Sequence, residues 1–192
     1  MTIWRTGWGG RCSSIAQHPI QTDASAMSIT SLSSLFAQKS WANNELFSAL
    51  AEVDAQAHPQ VVHMATRMLN HIYVVDRIFR AHLLGEPHGY SATNTEATPE
   101  LGALQFEVAE TDGWYEAYVA QLSEAQRAER IHFSFTDGDG GTMSREEMLT
   151  HIVVHGFYHR GNVGQMLKSI EVAPPRDLYT KFLHLREPER RA

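Results

Sequence analysis

At 192 residues, 43% hydrophobic and 20% charged, the chain has the length and composition of one globular domain with a sizeable core. A formal net charge of -6 argues against the basic face that nucleic-acid binding needs, and the one basic cluster, Arg186, Arg190 and Arg191 at the C-terminus, is interleaved with Glu187 and Glu189. No apolar run approaches the length of about 18 residues that a membrane-spanning helix requires, and a single cysteine, Cys12, excludes an intrachain disulfide and agrees with a cytoplasmic setting.

Residues 1–27 hold Arg5 and Arg11 but no continuous apolar core of the secretory kind. Their Gly, Ser and Thr content reads as a disordered leader, or as sequence upstream of a true start at Met27, with one domain over 28–192. Apolar residues then recur mostly at three- and four-residue spacing over 32–53 (Leu32, Leu35, Phe36, Trp41, Leu46, Phe47, Leu50, Val53), which predicts an amphipathic helix. Pro59 suits the first turn of a second helix, whose period runs through Val62, Met68, Leu69, Ile72, Val75 and Phe79 until Gly85 and Pro87 stop it. Residues 85–99, rich in Gly, Ser, Thr, Asn and Pro, read as a surface crossover, and residues 101–122 as a third helix with Leu104, Val108, Trp114, Tyr115 and Tyr118 inward.

Ile131, Phe133 and Phe135 alternate with polar residues before Asp137-Gly138-Asp139-Gly140-Gly141, which predicts a short β-hairpin. The two aspartates do not make a calcium loop, because Thr142 and Met148 stand where its sharp-turn Gly and bidentate Glu belong. Ser144 with Glu147 is a capping box, so a fourth long helix starts there and runs to about residue 170, ahead of Pro174 and Pro175. Leu178, Phe182 and Leu183 then form a short closing segment. The expected class is all-α, a four-helix bundle with a short β-hairpin before the last long helix.

That last helix carries His151, His155 and His159 at four-residue intervals on one face. Side chains four apart lie roughly 6 Å apart along the axis, within reach of one ion, whereas His151 and His159 lie about 12 Å apart, too far to share one. Either His151 or His159 therefore pairs with His155. His71 supplies a third imidazole, in a strongly apolar run of the second helix where an unpartnered ring would be costly. Three neutral imidazoles leave coordination positions open for water or substrate and suit nickel, zinc, copper or iron, with nickel or zinc expected.

Gln38-Lys39-Ser40-Trp41-Ala42-Asn43-Asn44-Glu45-Leu46, Leu69-Asn70-His71-Ile72, His155-Gly156-Phe157-Tyr158-His159-Arg160-Gly161 and Pro174-Pro175-Arg176-Asp177-Leu178 resemble, in order and spacing, the DinB family (DinB/YfiT-like metalloenzymes) over about residues 30–183. The resemblance implies a four-helix bundle, commonly a homodimer, with a divalent metal on His71, His155 and His159. It thereby chooses His159 over His151, which is left as a neighbouring group, a proton carrier or an ordinary helix residue. Asn162 stands where the family often has Gln. Some relatives are thiol-dependent S-transferases or isomerases, so a low-molecular-weight thiol is an expected co-substrate and a small electrophile the expected substrate. The family's damage-inducible label does not imply contact with DNA. A metal-dependent hydrolase and a non-catalytic, stress-linked metal- or ligand-binding protein are the alternatives.

Trp41, Trp114, Tyr115, Tyr118 and Phe157 fall at helical spacing and read as core. Tyr158 is expected at the pocket, and Arg160 either binds an anionic substrate group through its planar fork or forms a buried ion pair, with Asp177 as the candidate partner. Neither a nucleophile elbow nor a phosphate-binding glycine loop is present.

Overall fold

The computed structural model describes residues 24–191, with side chains from Ser31 onward. The expected leader, residues 1–27, and Cys12 with it, falls almost wholly outside the described residues. The rest is mostly helical: α1 (Ala24–Ala51), α2 (Pro59–Leu84), α3 (Leu101–Gln121), a short α4 (Glu124–Ala128), strands β1 (Arg130–Ser134) and β2 (Gly140–Ser144), α5 (Arg145–Lys168) and α6 (Tyr179–Arg186), followed by a 3-10 turn over Pro188–Arg190. Helix α1 begins ahead of the expected residue 32, a start that periodicity could not show because the residues before Leu32 carry no apolar period. Helix α4 was not expected, although Ser123 and Gln126 form the same capping box that announces α5.

The element boundaries follow from local chemistry. Pro59 opens α2, and Gly85, at φ +69°, closes it with a Schellman pair: Gly85 N–H donates to His82 O at 3.1 Å and Glu86 N–H to Ala81 O at 2.9 Å. Glu100 accepts from the amides of Gly102 and Ala103 at the start of α3. Ser144 ends β2 and also caps α5: Glu147 N–H donates to its hydroxyl at 3.1 Å, and its own N–H donates to the Glu147 carboxylate at 2.6 Å. The hairpin therefore hands directly into the last long helix. It is antiparallel, pairing Phe133 with Gly141. A Cβ on Gly141 would stand 2.6 Å from the Phe133 ring and 2.9 Å from that of Phe135. Because Phe133 is part of the core, Gly141→Ala is expected to cost about 1–3 kcal/mol by overpacking; urea denaturation of the variant checks this.

Arg145 sets how α5 lies on α2. Its guanidinium donates to the carbonyl of Leu83, at the end of α2, at 2.6 Å, to Glu129 at 2.7 Å, and to the Tyr118 hydroxyl. The two helices run antiparallel from that anchor. At about 1.5 Å per residue, His71 lies about 18 Å along α2 from Leu83, while His155 and His159 lie about 15 and 21 Å along α5 from Arg145. His71 is thus level with the gap between them. His151, only about 9 Å along, is level with the Phe79 end of α2.

Helix α1 packs on α3 and α5, and α2 on α5 and α3. Their buried apolar residues form two clusters. One holds Phe36, Val75, Phe79, Tyr115, Met148, Leu149 and Ile152, the other Leu46, Phe47, Leu69, Leu104, Val108, Val163 and Leu167. Along α1, α3 and α5, buried polar residues fall between the two: Gln38, Lys39 and Asn43, then Asp112, then Arg160. Asp76 on α2 joins them. The histidines lie beside this polar layer.

Candidate metal centre

His71 of α2 and His155 and His159 of α5 each bring one ring nitrogen to a common point, with the three atoms within 4.8 Å of one another. The rings meet at centroid distances of 4.4–4.9 Å and steep angles. His71 Nδ1 lies 2.7 Å from the carbonyl oxygen of Thr93. A carbonyl only accepts, so Nδ1 carries the proton and, in the neutral ring, Nε2 is a bare lone pair aimed at the cluster. Opposite it, at 3.0 Å, is His155 Nε2.

The donor set fits a divalent cation. Bonds of about 2.0–2.1 Å to two adjacent imidazoles place their nitrogens roughly 3.0–3.4 Å apart, and the His71–His155 approach lies at the short end of that range. His155 Nδ1 and His159 Nδ1 are buried with no hydrogen-bond partner. Burial, reinforced by His159, His71, His151 and Lys39, pushes the His155 pKa down to about 3, and burial with the His71 ring lowers that of His159. Both rings therefore hold free lone pairs at neutral pH, the form in which imidazole binds metals. No carboxylate or thiol joins the cluster among the described residues. Three neutral donors leave a cation its full charge and open positions, unlike the closed four-ligand structural sites.

His151 stands apart from the three. Its ring stacks on Phe79 at 4.7 Å and lies 5.5 Å from that of His155, and burial lowers its pKa. Tyr158, expected at the pocket, is 68% exposed and meets His159 edge-on at 4.9 Å. Of the two readings of Arg160 the ion pair is the one found: the residue lies in the core, with Nε donating to Asp177 at 2.7 Å and Nη1 to Asn43 at 3.3 Å. Gly156, next to His155, makes room for that guanidinium: a Cβ there would stand 3.0 Å from Arg160 Nη1. Tyr115 is fully buried, as expected, whereas Trp41, Trp114, Tyr118 and Phe157 are only partly buried.

Three features went unread in the sequence. The segment between α2 and α3 is more than a surface crossover, since Thr93 orients His71 while Asn94 and Thr95 accept from the buried Asn70. Lys39, read only as part of a motif, is fully buried between Asp76 and Asp112. A groove lined by His63, Met64, Arg67, Met68, Asn94 and Met166 opens beside His71 and His159. The α2 stripe in that lining was available as an i, i+4 pattern of polar and methionine residues ending at His71.

The model of the DinB family matches residues 27–191. Protein DinB of Bacillus subtilis (strain 168) is 24% identical to the chain over 170 residues, an alignment covering 81% of this chain and 95% of that protein.

Proposed function

The chain belongs to the DinB family, and we propose that it is a divalent-metal enzyme holding nickel or zinc on His71, His155 and His159 and acting on small molecules. The observation that carries this reading is the convergence of three imidazole nitrogens within 4.8 Å, from two helices, on a point that no acid among the described residues neutralises. A bound cation would supply Lewis acidity, lowering the pKa of a thiol or water that reaches it. The chain's own part is to orient: Thr93 fixes the His71 tautomer, and the anchor of Arg145 on α2 holds the two helices in the register that brings the rings together.

Thiol-dependent S-transfer to a small electrophile, with a low-molecular-weight thiol as co-substrate, is the reaction we favour. Metal-dependent hydrolysis is the second reading, favoured by open positions that admit water equally well. The same proposal takes α1, α2, α3 and α5 as a four-helix bundle, residues 28–192 as one domain preceded by a leader or an upstream start, and the working unit as a cytoplasmic homodimer. No helix among the described residues is long and apolar enough to cross a membrane.

Protein purified without an affinity tag is expected to carry close to one metal per chain by plasma mass spectrometry. The loaded protein is then assayed on three reactions. Thiol consumption with model electrophiles supports the transferase; ester or amide cleavage without thiol supports the hydrolase; tight metal retention with neither activity overturns the enzyme reading in favour of a binding protein.

A further inference from the structure

The groove beside the imidazoles has a composition that specifies its occupant. It is a cavity of about 520 Å³, the size of a small-molecule site. Met64 and Met68 of α2 and Met166 of α5 give it an apolar, deformable wall. Arg67 of α2 is the fixed cation of its lining. Its Nη1 donates to the carbonyls of Thr95 and Glu96 at 2.8 and 3.1 Å, which holds the planar fork in place, and no carboxylate among the described residues pairs with it. A guanidinium tethered by neutral carbonyls keeps its full charge and its remaining N–H groups for an external anion.

Position adds a length. Arg67 lies one turn from His71 on the same face of α2, a rise of about 6 Å. An anionic group at Arg67 and a reacting group at the histidines are therefore separated by roughly four to six bonds, along a path walled by Met68. Arg67 is the one guanidinium among the described lining residues, which include no lysine, and a lone guanidinium matches a single negative charge better than a phosphate dianion.

We propose that this groove binds a small monocarboxylate with an unbranched apolar stem, its carboxylate on Arg67 and its other end at His71, His155 and His159. The placement of the reacting end rests on the metal-site reading; recognition by Arg67 does not. The test titrates hexanoate, hexan-1-ol, hexylammonium and hexyl phosphate into the full chain, zinc-loaded and metal-free, followed by NMR of the methionine methyl groups. Metal content is measured on the same samples.

Hexanoate is expected to perturb the groove methionines and to bind at least about tenfold more tightly than hexan-1-ol, the margin of a charge-assisted hydrogen-bond pair. Arg67→Met should erase that preference with hexan-1-ol affinity unchanged, which shows the groove itself intact, and Arg67→Lys should restore part of it. The preference persisting in metal-free protein supports Arg67 recognition even if the metal reading fails. Metal bound without any preference for hexanoate overturns the inference and leaves the metal reading standing. Retention of the preference in Arg67→Met, or tighter binding of hexylammonium or hexyl phosphate, also overturns it.

Discussion

Alanine at His155 is expected to take metal content from about one per chain to near zero, and alanine at His71 or His159 to do the same, while His151→Ala keeps its metal. The asymmetry follows from height along the helices. His71 is level with the interval between His155 and His159, its bare Nε2 lies 3.0 Å from His155 Nε2, and His151 is held instead against Phe79. Removing even an outer hydrogen-bond partner of a metal-binding imidazole costs roughly 10–100-fold in affinity; deleting one of only three donors should cost more. Each of the three rings contacts both others, so none can be removed without breaking the cluster.

A second readout needs no assay of activity. A cation that binds the native state and not the unfolded chain stabilises it by about 2.7 kcal/mol at a hundredfold excess over its Kd. Added zinc or nickel should therefore raise the unfolding midpoint of the parent and of His151→Ala and leave that of the other three variants unmoved. A parent that takes up no metal after reconstitution, or a His151→Ala variant that loses it, would sink the proposed site.

How much of this was written in the sequence differs from element to element. Pro59, Gly85 and the Ser144–Glu147 box fix the ends of α2 and the start of α5, because capping is a contact between residues at most a few positions apart. The four-residue histidine spacing likewise shows that two rings share a face. Periodicity could not say which pair meets His71, because that depends on how far α5 slides along α2. The slide is set by Arg145 reaching the carbonyl of Leu83, 62 residues earlier, a contact with no local signature.

The buried polar layer was hidden for a related reason. Lys39 and Asp112 sit on the inward faces of α1 and α3, and a sequence pattern that counts apolar residues scores them as interruptions. Only the three-dimensional approach of α1, α2 and α3 shows that the charges answer one another. Resemblance to a family supplied the choice of His159; the groove with Arg67 required the fold.

Lys39→Met is expected to destabilise the fold by about 3–5 kcal/mol at neutral pH, the cost of stripping a buried charge of its partner. Lys39 is fully buried, bonded to Asp112 and 2.8 Å from Asp76, and both carboxylates are nearly as deep. Asp112 also accepts from Asn43 at 2.7 Å, and Asn43 in turn accepts from Arg160, which holds Asp177 of the closing segment. One ammonium thus stabilises two carboxylates and, through Asn43, the tether of the chain that follows α5. Burial opposes the Lys39 charge, but Asp112 and Asp76 outweigh it and raise its pKa.

Asp76 has the opposite balance. Burial outweighs the attraction of Lys39 and lifts its pKa to about 6 from an ordinary 3.8. A carboxyl held above its unfolded value favours the native state fully below that value, and this contribution is lost as pH rises through about 6. Without Lys39 both carboxylates are left facing each other unpaired, so the deficit of the variant should be largest above pH 6 and shrink on acidification as Asp76 takes up a proton. Lys39→Met combined with Asp76→Asn removes one of the two stranded charges and should recover part of the loss at neutral pH. Urea denaturation of the three proteins at pH 5 and pH 7.5 decides the matter: a Lys39→Met deficit of equal size at both values, or one that the second substitution leaves untouched, would mean that the lysine acts through its packing and not through its charge.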